Sequence, residues 1–215
     1  MAVTVAVDDA YGRYYYINSS SSREVLTWEQ MKTNATYFRN YINDKYPSWS
    51  LNAIAAMLGN IQSEGALNPS QWQYGLGMSV EGGFGLVQWT PATKYLDWCA
   101  SLGIERWKMS SNIDRLEWER VNGEQYYPTS AYPLSFSDFL TSDEDVEYLA
   151  STWLYDYERP KNPASTEALR KSQAKTWLEY LNGQEPDPPG PEPPEPYPPL
   201  PGKRRMPIYM YPGRR

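Results

Sequence analysis

Histidine is absent from this sequence of 215 residues, and cysteine occurs once. Without histidine, the chain cannot form a Ser-His-Asp triad, a Cys-His pair or a histidine-ligated zinc site. The lone Cys99 lies in YLDWCASLG at helical spacing, which favours a small buried apolar side chain over a nucleophile. If the chain is a hydrolase, carboxylates must carry the chemistry, and we expect no metal and no other cofactor.

Long apolar runs, a basic surplus and a leader-like start are also missing. No stretch approaches the length of a membrane-spanning helix. The first residues, MAVTVAVDDAYGR, lack a basic start and carry an early acidic pair. The formal net charge of -6 makes nucleic acid a poor partner. We therefore expect cytoplasmic synthesis without a signal peptide, no membrane insertion and no binding of nucleic acid.

Aromatic residues, by contrast, are plentiful, with 9 Trp and 19 Tyr. Most of these rings are expected in the core, and the surplus is typical of a surface that binds carbohydrate or another polymer. The length and the 40% hydrophobic content predict one globular domain and a tail rather than two large domains.

Helical patterns begin at Thr27, which forms a capping-box sequence with Gln30. Ser50 is predicted to cap a second helix that ends at Glu64, with Gly65 in the left-handed position after it. Residues 65–88 predict a short hairpin or an irregular sheet. Pro91 is predicted to occupy the first turn of the next helix. Further helices are predicted over residues 112–121, 136–140, 143–157 and 166–181.

The chain divides into four segments by composition. Residues 1–26 form a Tyr- and Ser-rich arm that is expected to be a short strand or a docking segment, and residues 27–183 form the domain. Residues 184–202, QEPDPPGPEPPEPYPPLPG, predict an extended, semi-rigid spacer. Residues 203–215, KRRMPIYMYPGRR, fit either a disordered basic end or a docking tail.

The segment from Ala53 to Thr90 has the residues expected of a site that cleaves a sugar polymer. It reads AIAAMLGNIQSEGALNPSQWQ, continues through a glycine-rich stretch and ends in FGLVQWT. Glu64 lies at the end of the apolar helix, where it can donate a proton to a glycosidic oxygen. An aromatic and amide-rich loop follows it. Aromatic side chains stack on sugar rings, and amide side chains form hydrogen bonds with the polar groups of the sugar.

These motifs, together with YERPKNP near the end of the domain, resemble the phage tail-associated lysozyme domain, a branch of the lysozyme-like superfamily. The resemblance covers about residues 27–183. It implies a mainly α (α+β) lysozyme-like fold with a small β-hairpin lobe. It also implies cleavage of the β-1,4 bond between N-acetylmuramic acid and N-acetylglucosamine in peptidoglycan. Such proteins sit at the phage tail tip or knob, so a virion location and other tail proteins as partners of the C-terminal tail are implied too.

By the same resemblance, Glu64 matches the family's catalytic acid, and Gln88 and Trp89 match a block that lines the cleft. Tyr157 belongs to the late YERP block and is a further candidate for substrate binding. From the residues themselves, a glutamate at a helix C-terminus among apolar neighbours is expected to favour its protonated form. Three loop residues complete the candidate substrate-binding set, Asn68, Trp72 and Tyr74.

The second carboxylate is less well defined by the sequence. Glycosidases of the two common types need an Asp or Glu across the scissile bond. Glu81 is the other acid between Glu64 and Gln88, so it is the candidate base or charge stabiliser, although some lysozyme-like enzymes work with one acid. Glu158 is interpreted as a structural ion pair with Arg159.

Two other functions fit the same residues. A lytic transglycosylase would use Glu64 first as acid and then as base, with the 6-hydroxyl of the sugar as nucleophile. A structural tail protein would use the domain only to bind glycan. The intact Glu64 and QWT block favour an enzyme over a protein that only binds glycan. A free endolysin is a further alternative, and the proline-rich tail argues against it.

Overall fold

The computed structural model describes residues 3–8, 10–18 and 25–183, so the predicted spacer 184–202 and tail 203–215 lie outside the described residues. In that part of the chain, the fold is mainly α, with seven α-helices and one two-stranded sheet. The predicted fold class is confirmed. None of the described helices is both long and apolar enough to cross a membrane.

The sheet pairs β1 (Thr4–Asp8) with β2 (Gly12–Tyr16) in antiparallel register, with Ala6 opposite Tyr14. It is followed by seven α-helices, which are α1 (Trp28–Lys45), α2 (Leu51–Gly65), α3 (Thr93–Leu102), α4 (Met109–Asn122), α5 (Phe136–Thr141), α6 (Val146–Trp153) and α7 (Glu167–Leu181). A π-helix (Leu154–Glu158) continues α6, and a short 3-10 helix (Pro163–Ser165) precedes α7.

The first two helix starts are as the sequence predicts. The Gln30 backbone N–H donates to Thr27 Oγ1 at 3.3 Å, and the Thr27 N–H donates back to Gln30 Oε1 at 2.9 Å. Ser50 Oγ accepts from the Ala53 N–H at 3.0 Å. These bonds satisfy backbone donors that the first turn of each helix leaves free.

The end of α2 differs from the prediction. Gly65 is the last residue of the helix, and the left-handed residues are Ala66 (φ 50) and Leu67 (φ 56). A Cβ atom on Gly65 would lie 3.0 Å from Cγ of Gln71. The absence of a side chain at Gly65 therefore lets Gln71 pack closely against the backbone, and a left-handed φ is not the reason for glycine here.

The predicted start of the next helix at Pro91 is wrong, since α3 begins at Thr93. The Ala92 N–H donates to the Val80 carbonyl at 2.9 Å, which attaches the residues before α3 to the preceding loop. That loop is irregular: Phe84 forms isolated β-bridges with Trp72 and with Trp89. The regular hairpin of the structure is the β1–β2 pair in the N-terminal arm.

Helix α2 is the centre of the core. Every residue from Ala53 to Gln62 is buried, and α6 and α7 pack against it. A Cβ atom on Gly59 would lie 2.6 Å from the Ala174 backbone nitrogen, so the backbones of α2 and α7 are in close contact. This contact places the end of α2 beside the side chains of α7.

The N-terminal arm is attached to the domain by two buried asparagines. Asn34 bonds both backbone groups of Tyr15, accepting at 2.7 Å and donating at 2.8 Å. Asn68 bonds both backbone groups of Ile17 in the same way, at 3.1 and 3.0 Å. Asn34 also donates to the Leu67 carbonyl at 2.9 Å. The second strand and the residues after it thus pack on the helical domain.

Candidate active site

Glu64 lies in the last turn of α2, with 23% of its side chain exposed to solvent. Arg170 Nη2, on α7, donates to Glu64 Oε1 at 2.6 Å. Arg170 is itself buried, and its Nη1 donates to the Asn60 carbonyl at 2.9 Å. The guanidinium therefore links the Glu64 carboxylate to the backbone of α2. The sequence had suggested apolar surroundings for Glu64, but a buried arginine is also part of them.

Glu158 is a second acid in this region. It ends the π-helix after α6, and Trp153 Nε1 donates to Glu158 Oε1 at 2.9 Å. Burial, and after it the charge of Glu64, raise the pKa of Glu158 to about 8, although Arg170 acts in the opposite direction. A carboxyl group with this pKa is protonated at neutral pH.

The expected ion pair between Glu158 and Arg159 does not form among the described residues. Arg159 Nη1 instead donates to the backbone carbonyls of Asp156, at 2.6 Å, and Gln125. Its guanidinium also lies over the Tyr127 ring, 4.7 Å from the centroid. The reason is local: Arg159 has a left-handed backbone (φ 48) that ends the π-helix, and its side chain bonds the carbonyls exposed there.

Gln88 is brought close to the end of α2. It has a left-handed backbone (φ 51), and its Nε2 donates to the carbonyls of Gln71 and Gly85 at 3.0 and 2.9 Å. The same Nε2 atom lies 3.9 Å from the position of a Cβ on Gly65. The QWT block and the helix end that carries Glu64 therefore adjoin, and the contact of Gln88 with substrate stays a prediction.

Trp89 and Tyr157 are both buried and share one partner, Glu119 on α4. Trp89 Nε1 donates to Glu119 Oε1 at 2.8 Å, and the Tyr157 hydroxyl donates to Oε2 at 2.6 Å. Arg115 Nε donates to Oε1 at 3.1 Å. Burial raises the pKa of Glu119, while these donors oppose the shift. In this structure both rings are buried, and substrate contact by either residue stays a prediction.

The remaining predicted residues occupy different depths. Asn68 is buried, with its amide bonded to the backbone of Ile17, and Trp72 is buried with its ring 4.7 Å from that of Phe84. Tyr74 is 37% exposed. Glu81 is exposed in a turn, where its backbone N–H donates to Ser79 Oγ at 3.3 Å. Their roles in catalysis or binding stay predictions.

Three residues of the site were not assigned a role from the sequence, or were assigned a different one. Arg170 lies in the amphipathic pattern of α7, and Glu119 in that of α4, where charged residues are expected on the solvent face. Glu158 was interpreted as an ion pair. Arg170 and Glu119 each occupy a position on the buried, apolar face of their helix. A charged residue at such a position is the sequence signal that could have identified them. Within the described residues, no three acidic or cysteine side chains group as a metal site requires.

A mainly helical domain with a glutamate at the end of its central helix, beside an amide-rich loop, has the architecture of the lysozyme-like proteins. The comparison with known protein families agrees. The model of the phage tail lysozyme family matches residues 33–181, and the chain belongs to this family.

A relative in Bacillus phage B103 is called Morphogenesis protein 1. It is 40% identical to this chain over 164 residues, which cover 76% of this chain and 43% of the relative. The chain thus spans less than half of the length of this relative. The two findings place the chain among phage proteins of the tail lysozyme family.

Proposed function

We propose that this protein is a muramidase that cleaves the β-1,4 bond between N-acetylmuramic acid and N-acetylglucosamine, with Glu64 as the proton donor. The observation that carries the proposal is the position of Glu64. Its carboxyl is partly exposed at the end of a buried helix and is held by a buried arginine on α7. Membership of the phage tail lysozyme family supports the same substrate class.

The chemistry follows from this position. A glycosidic oxygen leaves readily only when it is protonated as the bond to the anomeric carbon breaks. Glu64 reaches solvent, and the adjoining loop carries Gln88, whose amide is fixed by two carbonyls. A fixed loop next to the acid provides a wall against which a sugar can be oriented. Water or a second carboxylate then completes the substitution at the anomeric carbon, and Glu81 remains our candidate for that group.

We also infer that the protein is a component of the phage tail that opens the wall locally during infection. The family and the name of the B103 relative support a virion protein. The residues after Gly183 are proposed to connect the domain to other tail proteins, through the spacer 184–202 and the basic and aromatic segment 203–215.

Analysis of the sugar ends tests the proposed activity. The full chain is incubated with purified peptidoglycan, and the soluble products are identified by mass spectrometry. Muramidase activity yields N-acetylmuramic acid at a reducing end. A 1,6-anhydro end would instead assign a lytic transglycosylase, and binding without cleavage would assign a structural protein that only recognises glycan.

A further inference from the structure

An exposed apolar loop lies in the irregular segment between α2 and α3. We define the apolar loop as residues 74–82. It carries four large apolar side chains that are each more than a third exposed, which are Tyr74, Leu76, Met78 and Val80. Exposed apolar residues need no explanation when they are scattered singly, but a group of them on one short loop is typical of a surface that binds a partner.

The base of the apolar loop is closed by two hydrogen bonds between the residues that flank it. The Gln73 backbone N–H donates to the Gly83 carbonyl at 2.9 Å, and the Gly83 N–H donates back to Gln73 Oε1 at 2.9 Å. Within the loop, Leu76 Cδ1 lies 3.1 Å from the position of a Cβ on Gly82. Compact loops with paired ends and internal packing of this kind are frequently functional.

The base of the apolar loop adjoins the candidate active site through Gln88. Gln88 Oε1 lies 2.9 Å from the position of a Cβ on Gly83, and Gln88 Nε2 lies 3.9 Å from that of a Cβ on Gly65. Gly65 directly follows Glu64 in α2. A single amide side chain therefore separates the base of the apolar loop from the helix end that carries the proposed proton donor. A polymer bound at Glu64 is brought close to this loop.

Charge and position limit what the apolar loop can bind. Residues 65–93 contain one charged residue, Glu81, and no lysine or arginine. Anionic lipid surfaces attract basic segments, so this composition does not favour a membrane. A tail protein seated permanently on the loop would lie next to Glu64 and obstruct the substrate. The occupant that fits both constraints is an apolar part of the substrate itself.

Peptidoglycan has such a part, which plain polymers of N-acetylglucosamine lack. Each N-acetylmuramic acid carries a lactyl ether, to which a stem peptide is attached through an alanine. The methyl groups of the lactyl and alanine units are apolar and lose contact with water when they pack against apolar side chains. We propose that the apolar loop binds these methyl groups and thereby selects glycan strands that carry stem peptides, a role that rests on the proposed function of Glu64.

A comparison of two substrates tests the selection. Soluble glycan strands that carry stem peptides are compared with the same strands after an amidase has removed the peptides, and kcat/KM is measured from the release of sugar ends. We expect the wild type to prefer stem-bearing strands by about tenfold, because contact with the loop removes apolar surface from water. In the double variant Leu76→Ser and Met78→Ser, the preference should fall to about twofold or less.

The matched control is the double variant Leu102→Ser and Val121→Ser. These two residues are similarly exposed, but they lie on α3 and α4. The control should keep the wild-type preference. Circular dichroism checks that all variants are folded, and Met78→Ser alone repeats the test without disturbing the packing of Leu76 in the loop. A preference unchanged in both loop variants, or an equal loss of rate on both substrates, would overturn the proposal.

Lipid binding is the competing outcome. Wild type and the loop double variant are sedimented with vesicles of phosphatidylcholine and of phosphatidylglycerol. We expect neither protein to sediment with either vesicle. Sedimentation of the wild type that is lost in the loop variant would assign the apolar loop to a membrane surface and would overturn selection of stem peptides.

Binding measurements distinguish this inference from the proposed function. If the wild type releases no sugar ends, the muramidase assignment fails. The affinities of the wild type and the loop double variant for the two kinds of strand, measured by calorimetry, then still show whether the loop recognises stem peptides. If the wild type is active and treats both strands alike, only the inference about the apolar loop fails.

Discussion

Arg170 and Glu64 are 106 residues apart in the sequence, yet Arg170 Nη2 lies 2.6 Å from Glu64 Oε1. The contact depends on the close packing of α2 against α7, where Gly59 meets the backbone of Ala174. A larger residue at Gly59 would separate the helices, and with them the acid and its arginine. The geometry of the candidate active site is therefore a direct product of the core.

Replacement of the proposed proton donor is the first test. Glu64→Gln keeps an oxygen that can accept the bond from Arg170 but has no acidic proton. We expect lysis of peptidoglycan to fall by about 10²-fold or more, as for the removal of a general acid. Turbidity loss and product analysis measure the effect.

The control for this variant is its folded fraction, measured by circular dichroism during thermal unfolding, together with its binding to insoluble peptidoglycan. Both should resemble the wild type. A folded Glu64→Gln protein that lyses walls within a few-fold of the wild-type rate would remove Glu64 from the mechanism.

Glu81 is the predicted base or charge stabiliser, although it lies in an exposed turn. Glu81→Gln is expected to lower kcat about tenfold or more with little change in KM, because the lost interaction would act in the transition state. Steady-state kinetics on soluble glycan fragments measure both constants. A near-normal kcat would leave a mechanism with Glu64 as the catalytic acid and no carboxylate at position 81.

The raised pKa of Glu158 predicts how stability depends on pH. Its folded-state pKa is about 8, above the usual value of a glutamate in an unfolded chain. The folded state therefore binds this proton more tightly, and its contribution to stability is full below about pH 4.5 and is lost as the pH rises through about 8. Glu158→Gln removes this dependence.

Urea unfolding of the wild type and Glu158→Gln across that pH range measures the effect. We expect the free energy of unfolding of the variant to rise relative to the wild type as the pH increases from 5 to 9, as the linkage relation requires. A constant difference between the two proteins would contradict the assignment.

The asparagines that hold the N-terminal arm provide a stability test. Asn34→Ala or Asn68→Ala removes the pair of hydrogen bonds that the side chain makes to the arm and leaves buried backbone groups without partners. We expect each to lower the free energy of unfolding by about 2 kcal/mol or more. Asn40→Ala, at an exposed position of α1, is the matched control and should have little effect. Equal stability of all three variants would show that the hydrogen bonds of Asn34 and Asn68 do not stabilise the fold.

The last prediction concerns the segment after Gly183. Deletion of residues 184–215 is expected to leave the lytic rate of the purified protein unchanged, because the family match ends at residue 181. We also expect the truncated protein to be missing from assembled virions. Quantitative mass spectrometry of purified particles measures its copy number, and a normal copy number would contradict a docking role.

Local patterns in the sequence identified most of the helices, and the capping residues Thr27 and Ser50 identified two starts, because capping bonds join residues only three positions apart. The start of α3 was predicted wrongly at Pro91, because the hydrogen bond from Ala92 to Val80 is a tertiary contact. Gly65 was assigned to the wrong role for a similar reason, since its contact with the Gln71 side chain depends on the folding of the loop.

The candidate site was only partly accessible from the sequence. Glu64 and Gln88 lie in recognisable motifs, and the structure brings their segments together. The position of Arg170 on the buried face of α7 could have been recognised from the helical pattern, but its partner Glu64 could not, because the contact joins distant parts of the chain. Glu158 was misread because its sequence neighbour is Arg159, whereas the π-helix gives the two side chains different partners.

The attachment of the arm by Asn34 and Asn68 also has a mechanical consequence. Two of the hydrogen bonds join Tyr15 to Asn34 on α1, which also bonds the Leu67 carbonyl, and two join Ile17 to Asn68 in the loop that follows Glu64. Tension applied to the N-terminal segment would load these bonds together and reach Leu67 and Asn68 directly. A rigid anchor at this end of the protein would therefore transmit force to the end of α2 that carries Glu64, whereas the same load on Gly183 would enter through α7 and Arg170.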